Sequence, residues 1–305
     1  MTAARFARWT YLAALAIGAL SLPKPAAAQN VENATPAVAM GPQYDSTHVY
    51  VAPDDFDRFI TSFTLTFGGT LSRKSVVDVT PPPSQTASQI ALTPAGTISV
   101  FGFQTPVPYP FGYERYGYLV TDLDAAVSAA RADGASIVVS PYHDAIGRDA
   151  IIEWPGGVFM QLYWHTTTPH YPALSSIPVH RVYVADDTAD AFVRDFVAFA
   201  HGTIAADDRQ APGSEIGMAA SVYRRIRIVS AFGTMTVIAT DGHLPYPYGR
   251  ETTGYGVANL ATTLAKAKSA GVVVLVPPYR SSAGMASMVE FPGGYVAEIH
   301  EDPAS

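Results

Sequence analysis

The chain contains no cysteine, which excludes disulfides, thiolate metal sites and a cysteine-borne lipid anchor. It is also poor in charge. Charged residues make up 15%, the net charge is −7, and lysine and arginine form no cluster. A nucleic-acid surface is therefore not expected, because neutralising phosphates takes a basic patch. Past the N-terminal segment, no apolar run approaches the roughly 20 residues that a membrane helix needs. Also missing are a Gly-Lys-Ser/Thr phosphate loop, a His-Glu-x-x-His zinc helix and a Gly-x-Ser-x-Gly elbow.

What is present begins with an expected signal peptide over residues 1–28. Arg5 and Arg8 give a positive start, an apolar run follows, and Ala26-Ala27-Ala28 forms a small-residue cleavage site. Cleavage after Ala28 predicts a periplasmic or secreted protein with no membrane segment once the signal is removed. Residues 29–45, rich in Ala, Asn and Pro, read as a leader. The remainder is 48% hydrophobic at the level of the whole sequence, a globular composition long enough for two ordinary domains.

The chain repeats itself. Laid so that Pro108 falls on Pro245, residues 108–165 match 245–302 without a gap: "PYPFGYERYGYLV" meets "PYPYGRETTGYGV", and "DAIIEWPGG" meets "ASMVEFPGG". Earlier, "HVYVAPDDFDRF" matches "HRVYVADDTADAF" at a slightly different offset. The Pro- and Ser-rich stretch 166–178 is then a linker between domains at 46–165 and 179–305.

Each half itself divides. The stretch from His48 to Ala52 alternates like a strand, and "DFDRFITSFTLTFGG" carries apolar residues at helical spacing before a glycine stop. "SQIALTPAGTISVFGF" reads as paired strands around a Pro-Ala-Gly turn. The order then restarts: strand "YGYLVTD", helix "LDAAVSAARADG", strand "ASIVVSP", and a hairpin turning at Pro155-Gly156-Gly157. The fold class expected is α+β: four βαβββ modules with curved mixed sheets and helices packed outside.

This module order, with its signatures, resembles the vicinal oxygen chelate superfamily, which includes glyoxalases, bleomycin-resistance proteins and extradiol dioxygenases. The resemblance implies two tandem glyoxalase-like domains whose sheets curl into cups. It also implies a divalent metal (Fe, Mn, Ni or Zn) held by strand-borne His and Glu, which a substrate with adjacent oxygens would chelate. Neutral imidazole and carboxylate suit such metals and leave positions open. On this pattern His48 and His180 are the module-opening ligands. Glu298, in "PGGYVAE", stands at the usual metal carboxylate and doubles as the candidate catalytic residue. Gln161 takes that place in the first half. The second modules depart from the pattern, with Arg115 and Thr252 where a second histidine is expected. These two and Gln161 are therefore assigned to substrate binding.

Two readings follow. One is a metal-dependent lyase, isomerase or dioxygenase; the other is a non-catalytic protein that sequesters a small molecule in the same cup. Either takes a small-molecule ligand and no nucleic acid, as a monomer or homodimer. The pairing of modules within or across the halves stays open at this stage.

Overall fold

The computed structural model describes residues 38, 40–81, 83–281 and 284–302; the expected signal peptide lies outside them. The first module comprises β1 (Thr47–Tyr50), α1 (Phe56–Phe67), β2 (Thr70–Leu71), β3 (Ser75–Val77), β4 (Thr86–Thr93) and β5 (Gly96–Phe103). The second comprises β6 (Tyr116–Leu119), α2 (Leu123–Ala132), β7 (Ser136–His143), β8 (Gly147–Trp154) and β9 (Val158–His165). The second half repeats the plan with β10 (Val179–Ala185), α3 (Asp186–Ala200), β11 (Thr203–Pro212), β12 (Val222–Ser230) and β13 (Gly233–Thr240). It closes with β14 (Thr252–Val257), α4 (Leu260–Ser269), β15 (Val273–Ser281), β16 (Gly284–Phe291) and β17 (Tyr295–Glu301).

Local chemistry explains the boundaries. Helix α1 buries Phe56, Phe59, Ile60 and Phe63 along one stripe and stops at Gly68, whose φ of 78° a glycine adopts freely. Helices α2 and α4 start at equivalent caps, the side chains of Asp122 and Asn259 accepting from the backbone N–H of Ala125 and Thr262.

The strands form two mixed sheets, ordered β2-β4-β5-β1-β6-β9-β8-β7, with β3 also on β4, and β11-β12-β13-β10-β14-β17-β16-β15. Antiparallel junctions β1–β6 and β10–β14 join the two modules of one half. The sheets therefore pair modules within halves.

The helical layers do the opposite. One core joins β1, β5 and α1 of the first module to Tyr255, Leu264, Val289 and Phe291 of the fourth. The other joins β6, β8, β9 and α2 of the second to Val182, Phe192, Phe196 and Val237 of the third. Each fully buried aromatic or aliphatic side chain contributes about 1.5–3 kcal/mol, so separating the halves would expose both cores. The repeated Pro-Gly-Gly turns sit at this seam. A β-carbon on Gly156 would meet Val184 of β10 at 3.1 Å, and one on Gly293 would meet Val51 at 3.2 Å. Both glycines also have positive φ, 90° and 87°. The phrase is written twice because each closing hairpin docks on the other half.

Candidate functional site

Strand alternation sends one face of each sheet to the helices and the other into a cup. In β1, Val49 joins the helical core while His48 and Tyr50 face the first cup, and β5 does the same with Ser99 and Phe101. A cavity of about 210 Å³ lies there, lined by His48, Ser99, Glu114, Asp149, Gln161 and Tyr163 among others. A cavity of about 150 Å³ holds benzene, so a substituted ring fits. A second hollow of about 520 Å³ shares the walls Tyr50, Phe101 and Phe111 and includes Val107, Tyr109 and Tyr113, all more than half exposed or close to it. Tyr50 stacks on Phe101 and Phe103 with ring centroids 5.4 and 6.1 Å apart.

The first cup is polar but weakly ionised. Burial, with the field of Arg115, lowers the His48 imidazole to about 4. Its Nε2 lies 3.7 Å from Asp45 Oδ2, and Asp45 accepts from Ser99 Oγ at 2.6 Å. Burial pushes Asp45 up to about 6 against the bonds from Ser99 and Tyr163. It pushes Glu114 up to about 8, offset only in part by neighbouring backbone N–H groups and Arg115. Asp149 is raised by burial and by Asp144, while Gln161 hydrogen-bonds it. Gly117, beside Gln161 in the parallel β6–β9 pair, has a specific use. A β-carbon there would come within 2.7 Å of His48 Nε2, so the absent side chain is where the imidazole sits.

The second cup is a network of ion pairs around a cavity of about 540 Å³. Glu298 meets Arg181 Nη1 at 2.7 Å and accepts from Tyr279 Oη at 2.9 Å. His300 Nδ1 lies 3.5 Å from its other oxygen. Burial works against this carboxylate, but Arg181 and His300 together hold it down at about 2. Arg225 pairs likewise with Glu215 and Asp208.

The structure places His180, Arg115 and Thr252 differently from the expectation, and its sheets pair modules within halves. His180 does not join Glu298. It points from β10 to the opposite face, where its ring stacks on Tyr116 at 3.8 Å and bonds the Tyr118 hydroxyl; burial alone lowers it to about 3. The residue that enters the cup is Arg181: it pairs across β10–β14 with Thr252 and along β10–β13 with Thr236, as His48 stands beside Ser99. The two "His…Asp-Asp" phrases are thus offset by one residue, and one residue of slip turns a strand's faces over. His48 and Glu298 also lie in different cups. Gln161 does line the first cup beside His48. Arg115 and Thr252 line neither cavity: the Arg115 guanidinium carbon lies 5.6 Å from the Tyr295 ring centroid, and the Thr252 carbonyl accepts from Tyr116 Oη at 2.9 Å.

The donor sets do not fit the metal that the resemblance implies. In the second cup an arginine stands where a ligand histidine is needed and already holds Glu298. In the first, His48 is accompanied by an amide. Among the described residues, no three His, Asp or Glu side chains come together to hold a metal ion.

Several lining residues escaped sequence reasoning. Asp45 belongs to the stretch read as leader, yet Gln43 beside it fastens to β6 by two bonds with the Leu119 backbone, each 2.9 Å. Tyr171, in the expected linker, lines the same cavity. Asp149 was discoverable, as a carboxylate on the inward phase of the alternating strand "GRDAIIEW".

No protein-family model matches the sequence, and no curated protein matches it. Solved structures do match by fold. A triple mutant of 4-hydroxymandelate synthase from Streptomyces coelicolor superposes with a TM-score of 0.57 at 13% identity, covering 87% of this chain and 94% of its own. The 2,2',3-trihydroxybiphenyl 1,2-dioxygenase of Sphingomonas wittichii strain RW1 gives 0.55 at 13% identity, covering 85% and 90%. The Mn(II)-bound glyoxalase of Novosphingobium aromaticivorans gives 0.52 at 14% identity, covering 87% and 83%. The chain therefore has the fold of the vicinal oxygen chelate superfamily. Its tandem plan of glyoxalase-like modules is the one these neighbours share.

Proposed function

We propose that this chain is an exported small-molecule-binding protein whose ligand occupies the cup of the first half, without a metal centre of the superfamily kind. The observation that carries the reading is the contrast at one structural position. In the first cup His48 stands at a cavity walled by aromatic rings and by carboxyls with no lysine or arginine among them, while in the second Arg181 already pairs with Glu298. A concave pocket that combines aromatic walls with convergent polar groups is the usual form of a small-molecule site. Export rests on the N-terminal three-part pattern.

A second reading draws on the 3.7 Å approach of His48 to Asp45: a metal-free lyase or isomerase in which His48 moves a proton and Asp45 orients it. The low position of His48 makes it a weak base at neutral pH, which favours binding.

Metal analysis of the purified protein after incubation with Fe, Mn, Ni and Zn tests the first reading. Substoichiometric metal, with single-ring aromatic compounds raising Tm in the presence of chelator, is the expected result. A Ser88→Trp plug in the first cup should remove that rise. Stoichiometric metal, or a shift that survives the plug, refutes the reading. Turnover that His48→Gln abolishes would select the second one.

A further inference from the structure

We propose that the first cup receives an organic cation, a protonated or quaternary amine carried on a body about the size of one aromatic ring. This rests on the first-cup reading and adds the ligand's charge. Four carboxyl side chains line the cavity, those of Asp45, Glu114, Asp144 and Asp149, and no lysine or arginine does. Both histidines that line it, His48 and His165, are shifted by burial toward their neutral forms.

Two unpartnered atoms give a second, independent pointer. Glu114 is 1% exposed and its Oε2 has no well-aligned hydrogen-bond partner; His48 is 4% exposed and its Nδ1 has none. Both residues line the cavity, so the N–H groups of a protonated amine would offer them a donor, whereas a quaternary amine would meet the carboxyls by charge alone. Buried polar groups are normally satisfied, and each exception asks for a partner. The walls suit the same guest. Tyr50, Phe101, Phe111, Tyr163 and Tyr171 line the cavity, and aromatic rings attract a desolvated cation. In the second cup the carboxylates already have Arg181 and Arg225. In the first cup the missing counter-cation is left for the ligand.

A proton balance follows. The groups acting on Glu114 are the backbone N–H groups of Gly112, Tyr113 and Glu114 itself, the Arg115 charge beside it, and Tyr50, which bonds it. With Glu114 raised to about 8, the empty cup holds it mainly as the acid at pH 7. A bound ammonium favours the carboxylate, so the O–H proton passes to buffer, about one per ligand.

Calorimetry on the full mature chain at pH 7 tests this with four probes: benzylamine, benzyltrimethylammonium, benzyl alcohol and benzoate. Expected are at least tenfold tighter binding of the two cations than of the alcohol, no detectable benzoate binding, and heats that vary with buffer ionisation enthalpy. Glu114→Gln should remove the proton release and weaken both cations about tenfold. Asp149→Asn should weaken them too and serves if the first variant does not fold. Asp208→Asn, at the second cup, should change nothing. Equal affinity for benzyl alcohol and benzylamine, cation affinity untouched in both variants, or no binding of any probe overturns the charge assignment. Benzylamine binding that survives the Ser88→Trp plug overturns the first-cup reading itself.

Discussion

The two cups are built from equivalent strands in the same order, yet they treat buried carboxyls in opposite ways. In the second, Glu298 and Glu215 each have an arginine, and the cup is a set of closed ion pairs. In the first, Asp45, Glu114 and Asp149 have hydroxyls, an amide and a histidine around them, and burial moves all three toward the neutral acid. A duplicated fold can therefore keep its backbone and change its chemistry at a few inward positions, among them His48 against Arg181 and Gln161 against Glu298. The lesson is about charge. A buried carboxylate stays ionised when an arginine pairs with it directly, and without such a pair burial moves it toward the protonated form.

The largest expected effect comes from breaking the second cup's pair. Arg181→Met leaves Glu298 buried without its partner and should cost about 3–5 kcal/mol in urea unfolding. The double variant Arg181→Met/Glu298→Met should recover most of that loss, because an apolar pair of similar size replaces a buried ion pair at little cost. A single variant as stable as the wild type would show that the pair does not hold this cup.

Next in size is the response to pH, where the cups have opposite signs. Glu298, at about 2 against an ordinary 4.5, contributes stability that is complete above 4.5 and lost as pH falls toward 2. Glu114, at about 8 against 4.5, is the reverse: its stabilisation is complete below 4.5 and fades as pH rises to 8. Unfolding free energies from urea titrations across this range should therefore decline on both sides, each limb by on the order of a few kcal/mol. Glu298→Gln should reduce the acid limb, which the buried His48 and His180 share, and Glu114→Gln the upper limb, which Asp45, Asp149 and Glu251 share. Identical profiles for the two variants would contradict the comparison.

A smaller effect separates the paired glycines. Gly117→Ala pushes into the His48 ring and should cost about 1–3 kcal/mol as overpacking, with loss of any first-cup ligand. Gly254→Ala meets its neighbours, Glu298 Oε1, a His300 carbon and the Val179 β-carbon, at 3.3 Å and should cost less. Equal costs in thermal unfolding would mean that Gly117 is not reserved for His48. Smallest is Thr252→Val. The threonine hydroxyl is buried without a hydrogen-bond partner, so its loss should be neutral or slightly stabilising, within about 0.5 kcal/mol. A loss above ~1 kcal/mol would reveal a hidden partner.

Much of the fold was legible because its signals are local. The glycine after α1, the polar caps of α2 and α4, and the Pro-Gly-Gly hairpins all act within a few residues. The site was legible in part. Gln161 could be marked as a candidate from the closing-strand pattern, while its place beside His48 came only with the pairing of the sheets. His180 misled because its spacing to Asp186 copies that of His48 to Asp54, while Pro53 adds a residue to the first copy between strand and acidic pair. Asp45 and Tyr171 gave no signal at all, since they come from segments that look like connectors.

The sequence alone determined the duplication, the four modules and the order of strands and helices, because those follow from periodicity, caps and turns along the chain. Tertiary structure decided the rest. It paired sheets within halves and helices across them, turned His180 into the core and Arg181 into the cup, and left one cup with carboxyls that lack a cation. These outcomes depend on which faces meet in space and on how burial shifts a charge, and neither quantity exists until the chain has folded.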